Sequence, residues 1–116
     1  MNKIKIYHNP NCSKSRKALK LIQEKKIEIE IIEYLKHPIT IKEIKFILKV
    51  LKLKPYNVVR KNEKVWKDNY SRIELKENEI IKLIIENPVI LKRPIIINNN
   101  LGVIARPAER VQEIFN

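Results

Sequence analysis

The sequence predicts an α/β fold: a mixed sheet laid down first as βαβ and completed as ββα, with a helical insertion at about residues 38–90 of a single domain spanning 1–116. Three observations predict it. Two alternating segments dense in isoleucine flank a stretch of helical periodicity near the N-terminus. Several helical stretches then follow one another without a strand between them. A hairpin signal and one last helical segment close the chain.

The first strand is read over Lys3–Tyr7, where KIKIY alternates polar and apolar residues. The loop HNPNC follows, punctuated by Pro10. Ala18, Leu19 and Ile22 recur at helical spacing, which predicts a helix from Ser13 to about Lys25 with Ser13 as a cap near its start. Glu28–Tyr34 alternates again and is rich in β-branched isoleucine, hence a second strand. A helix of this length between two strands makes them parallel.

Thr40–Leu53 carries Ile41, Ile44, Ile47 or Leu48, and Leu51 on one stripe, with Thr40 and Glu43 spaced as a capping box. Pro55–Lys67 reads as short helical turns bearing Arg60 and Trp66, and Lys76–Glu86 as another helix that stops before Pro88. Pro94–Ile97 is a strand, NNNLG a hairpin turn, Val103–Ala105 the partner strand, and Pro107–Phe115 a terminal helix with Pro107 at its first position.

With 44% hydrophobic and 33% charged residues, the composition is that of an ordinary globular protein. The start, MNKIKIYHNP, has too short an apolar run for a signal peptide, and no stretch approaches the ~18 apolar residues of a membrane span. A cytoplasmic protein with no membrane partner is expected. The net charge of +12 would suit a polyanion. However, Lys, Ile and Asn, which share AT-rich codons, are inflated together, and the lysines spread along the chain instead of clustering. Nucleic acid is therefore not the expected partner. Against this lysine bias the six arginines, Arg16, Arg60, Arg72, Arg93, Arg106 and Arg110, become informative. A guanidinium offers a planar fork for oxyanions that lysine cannot copy.

Cys12 is the only cysteine, so no internal disulfide forms, which fits a reducing compartment. It falls between a strand end and the first turn of a helix. Backbone N–H groups there lack intrahelical partners and the dipole is positive, so a thiolate and an oxyanion are both favoured. Cysteine pKa values fall from ~8.5 toward ~3.5–7.5 in such places. His8, four residues earlier, and Arg16, one helical turn later, are cations that could stabilise the thiolate further. A C-x5-R phosphatase loop would need arginine where Ala18 stands, and a C-x-x-C dithiol would need cysteine where Ser15 stands. Any adduct on Cys12 must then be released by an external thiol. One cysteine and two separated histidines make no zinc site, so no metal is expected.

At H-x3-C-x3-R the sequence resembles the glutaredoxin-coupled arsenate reductase family, and YHNPNCSKSRKAL is close to that family's signature. The resemblance continues through EYLKHP, VVRKNE, NPVILKRPIII and ARPAERVQEI, covering nearly the whole chain in the same order. It implies a thioredoxin-like fold. It also implies a low-pKa cysteine, Cys12, that attacks arsenate or a similar oxyanion, with His8 tuning it and Arg60, Arg93 and Arg106 holding the anion. Ser15 and Arg16 belong to the signature loop and would support the anion site. Pro94 stands where thioredoxin-like folds keep a cis proline beside the active cysteine. No bound cofactor is implied; glutathione would be the external reductant and glutaredoxin the partner that completes reduction to arsenite. Ser13 and Lys14 depart from the Gly-Thr pair usual in established arsenate reductases. Two alternatives stay open: a thiol oxidoreductase acting on another substrate, and a non-catalytic regulator of the same fold that binds RNA polymerase.

Overall fold

The computed structural model describes residues 4–115. Lys3, read as part of the first strand, lies outside them. The chain divides into two compact units, one made of residues 1–37 with 93–116, the other of residues 38–92.

The first unit holds the sheet. Strands β1 (Ile4–Tyr7), β2 (Ile29–Ile32), β3 (Ile95–Asn98) and β4 (Leu101–Ile104) run in the order β2-β1-β3-β4. β1 pairs parallel with β2 and antiparallel with β3, and β3 pairs antiparallel with β4. The fold is thioredoxin-like: a mixed sheet assembled as βαβ and then ββα. Helix α1 (Ser13–Gln23) and a terminal 3-10 helix (Ala108–Ile114) share one core with the sheet. Ile4, Ile6 and Ile96 from the strands meet Ala18 and Ile22 of α1 and Val111 and Ile114 of the terminal helix. Each fully buried isoleucine of that layer contributes about 1.5–3 kcal/mol. β3 is buried at all four positions because it has a strand on either side.

Register places three connections at one edge of the sheet. Tyr7, the last residue of β1, pairs with Ile95, the first of β3, and Ile95 pairs with Ile104, the last of β4. The segment after β1, the residues before β3 and the residues after β4 therefore emerge side by side. A bond from Ala105 N–H to Pro94 O (3.0 Å) ties the last two.

Several boundaries differ from the reading of the sequence. Helix α1 has Cys12, not Ser13, at its N-cap, and Ser13 is its first residue. The hairpin turn is only Asn99 and Asn100. Asn98 stays in β3 with its side chain buried, donating to Ile114 O at 2.7 Å, and Asn99 takes the left-handed conformation (φ 55°) that asparagine tolerates. The terminal helix is 3-10, and Pro107 is its cap, not its first residue. Ala108, Val111 and Ile114 explain the first point: apolar residues exactly three apart line up on a helix of three residues per turn.

The second unit is helical, with α2 (Ile41–Leu51), α3 (Lys64–Asn69), α4 (Glu77–Glu86) and 3-10 turns at Pro55–Val58 and Pro88–Ile90. Thr40 and Glu43 form the capping box, each side chain bonded to the other's backbone N–H at 3.1 Å. Ile44, Ile47, Leu48 and Val50 are buried, while Ile41, read as part of the apolar stripe, is exposed. An antiparallel bridge between Val59 and Leu91 closes this unit beneath Arg60. No helix among the described residues is long and apolar enough to cross a membrane.

Candidate active site

The loop after β1 is shaped by Asn9. Its carbonyl accepts Cys12 N–H at 3.0 Å, closing a turn over residues 9–12, and its side-chain oxygen accepts Asn11 N–H at 3.0 Å. Arg16, exposed on α1, donates from Nη1 to Pro10 O at 2.8 Å and ties the loop to the helix. Cys12 O then accepts Arg16 N–H at 3.0 Å as the first helical bond. Cys12 thus occupies the position where a serine or aspartate oxygen usually caps a helix. Its side chain makes no standard cap bond, and the first turn carries no acidic residue to offset the positive end.

Burial alone would push the Cys12 thiol up. It nevertheless lies below its ordinary value, because the Ser15 backbone amide, the Arg93 guanidinium and the Lys14 backbone amide together favour the thiolate. Cys12 is partly exposed, so a reactant can reach the sulfur.

Arg93 precedes β3 and Arg106 follows β4, at the edge to which β1 delivers Cys12. Besides the contact to Cys12, Arg93 presents Nε and Nη1, both buried and without a hydrogen-bond partner among the described residues. Buried guanidinium donors are rarely left unpaired, and an oxyanion is the ligand whose geometry they match. Arg106 is half-buried and donates from Nη1 to Arg93 O at 3.3 Å, which fixes the segment that carries Arg93. The peptides Arg93–Pro94 and Arg106–Pro107 are both cis.

His8 has a different setting from the one its spacing suggested. It is buried, and its Nδ1 lies 2.6 Å from Ser15 Oγ, which also accepts Asn9 N–H at 3.1 Å. Burial lowers the His8 pKa below the usual imidazole value; Glu33 opposes this and Arg16 adds to it. A lowered pKa favours the neutral ring over the cation. Its partner Ser15 is also the residue whose backbone amide favours the Cys12 thiolate.

Arg60 belongs to the helical unit. It is half-buried, its N–H donates to Ile90 O at 2.6 Å, and its Nη1 donates to Glu63 Oε2 at 2.7 Å. The structure thus brings Cys12, His8, Ser15, Arg16, Arg93, Pro94 and Arg106 to one edge of the sheet unit and places Arg60 on the helical unit's own bridge. Two contributors escaped the reading of the sequence. Asn9 was legible in the Asn-Pro pair, a turn signal. Glu63 was legible as a carboxylate three residues after an arginine. Among the described residues no three His, Cys, Asp or Glu side chains group as a metal site.

The family model that matches is the ArsC family, over residues 7–114. Of individual proteins, YfgD of Escherichia coli strain K12, itself uncharacterized, is 37% identical over 113 residues, covering 96% of this chain and 95% of that one. The arsenate reductase of Haemophilus influenzae is 37% identical over 112 residues, 95% and 97% of the two chains. Among solved structures, the arsenate reductase from Vibrio cholerae superposes with a TM-score of 0.92 at 32% identity, over 97% of each chain.

Proposed function

The chain belongs to the ArsC family, and from that premise we propose that it is a thiol oxidoreductase of the arsenate reductase type in which Cys12 attacks arsenate. The observation that carries the reading is the pair of unpartnered buried donors of Arg93, set beside a sulfur whose thiolate that same guanidinium favours. A nucleophile and an anion cradle share one arginine.

The chemistry then runs in two stages. The Cys12 thiolate bonds to arsenic(V), and one arsenate oxygen takes up a proton and leaves as water. Arg93 and Arg106 hold the remaining oxygens. Reduction to arsenite needs two electrons, which two thiols supply by becoming a disulfide. With a single cysteine in the chain, the second thiol has to come from outside. Glutathione is the reductant we assign, leaving a mixed disulfide on Cys12 that glutaredoxin resolves by thiol exchange. Ser13 and Lys14 in the loop keep a second reading in view, the same thiol exchange on a substrate other than arsenate.

The test is arsenite production by the purified protein with glutathione, with and without glutaredoxin. The proposal expects arsenite in both cases and faster turnover with glutaredoxin. No arsenite from either, with Cys12 still reactive, would move the assignment to the second reading. In the same assay Arg60→Lys is expected to lose on the order of tenfold or more in kcat/KM, since lysine keeps the charge and loses the fork. An unchanged value would remove the role that the resemblance gives Arg60.

A further inference from the structure

The ladder that pairs Tyr7 with Ile32 runs one step further, through His8 N–H to Ile32 O at 2.8 Å, and so sets His8 and Glu33 side by side where β1 and β2 end. Glu33 has one carboxylate oxygen, Oε1, buried and without a hydrogen bond, with Lys36 Nζ 3.3 Å away. The charged groups facing His8 are Glu33 from the end of β2 and Arg16 from α1.

Counting hydrogens at Ser15 shows what Glu33 can do. Ser15 Oγ already accepts Asn9 N–H, so its own hydrogen is free to point at only one further acceptor. At 2.6 Å that acceptor is His8 Nδ1, provided Nδ1 carries no proton. The neutral ring then bears its proton on Nε2, since the bond made at Nδ1 sets the tautomer, and the Glu33 charge favours keeping a proton on the ring. With the opposite tautomer, Ser15 Oγ would receive two N–H groups and its hydrogen would have to turn elsewhere.

We propose that Glu33 is a positioning residue: it holds His8 with the proton on Nε2, which locks the Ser15 side chain between His8 and Asn9 and keeps the Ser15 backbone N–H trained on the Cys12 sulfur. Glu33 touches neither sulfur nor substrate; it acts through two intermediaries. The inference rests on Cys12 being the nucleophile.

The experiment measures the pH dependence of Cys12 alkylation by iodoacetamide in the full chain, alongside the nitrogen resonances of the His8 ring. Glu33→Gln is expected to mix the two tautomers of His8. It should raise the alkylation midpoint by about half a pH unit, roughly three-fold less thiolate at a fixed pH below it. The direction is diagnostic, because deleting a negative charge that acted only at a distance would lower the midpoint. A lowered or unmoved midpoint, or an unchanged His8 spectrum, overturns the proposal. In a Ser15→Ala background Glu33→Gln should move the midpoint no further; a shift that persists also overturns it, by bypassing Ser15. Failure of the underlying reading looks different: the unsubstituted protein would itself titrate like an ordinary thiol.

Discussion

Cys12→Ser is expected to reduce arsenite production to the background of glutathione alone. The substitution removes one property only. A serine hydroxyl stays protonated where the thiol ionises, so the amides of Ser15 and Lys14 and the Arg93 guanidinium have no anion to favour. The change is nearly isosteric at a partly exposed position, so stability should hold to within roughly 1 kcal/mol. The donors of Arg93 are untouched as well. Cys12→Ser should therefore still bind phosphate or arsenate, measured by calorimetry, while doing no chemistry. Residual turnover would place the nucleophile elsewhere.

Arg93→Ala is expected to cost on the order of 10²–10³-fold in kcat, the usual loss when one oxyanion donor is removed. Two effects add. The anion loses Nε and Nη1, and the thiol loses a neighbour that lowers its pKa. The second effect has a defined sign in pH. With the Cys12 pKa raised, less thiolate exists at neutral pH, and that share of the loss returns as pH rises through the new value. The share due to anion binding does not return. A rate profile of the variant between neutral and alkaline pH separates the two. Arg93→Lys should fall between, since it restores a charge near the sulfur without the fork.

Much of this site is written in local sequence. The strand, the Pro10 loop and the amphipathic stretch place Cys12 at a helix start, and the missing second cysteine fixes the need for an external thiol. Arginines retained amid lysines narrowed the anion-binding candidates to six, and the resemblance singled out Arg60, Arg93 and Arg106 among them. What local sequence does not carry is burial and long-range register. By spacing alone His8 reads as a cation for the thiol; its burial against Ser15, which favours the neutral ring, depends on how β1 packs. The partnership of Arg93 with Cys12 spans most of the chain and follows from Tyr7 pairing with Ile95, a register no local window contains. The terminal helix is legible in the sequence as well. Its three-residue apolar period, Ala108, Val111 and Ile114, matches the 3-10 form it takes.

The central claim is that folding favours the thiolate of this chain's lone sulfur, beside a guanidinium with donors to spare. Thiolate absorbance of the native protein, followed against pH with Cys12→Ser as the blank, measures this directly. The account predicts an inflection below that of an unperturbed cysteine (~8.5), moving upward in Arg93→Ala. An inflection at or above the ordinary thiol value in the native protein, unmoved by that substitution, would contradict it.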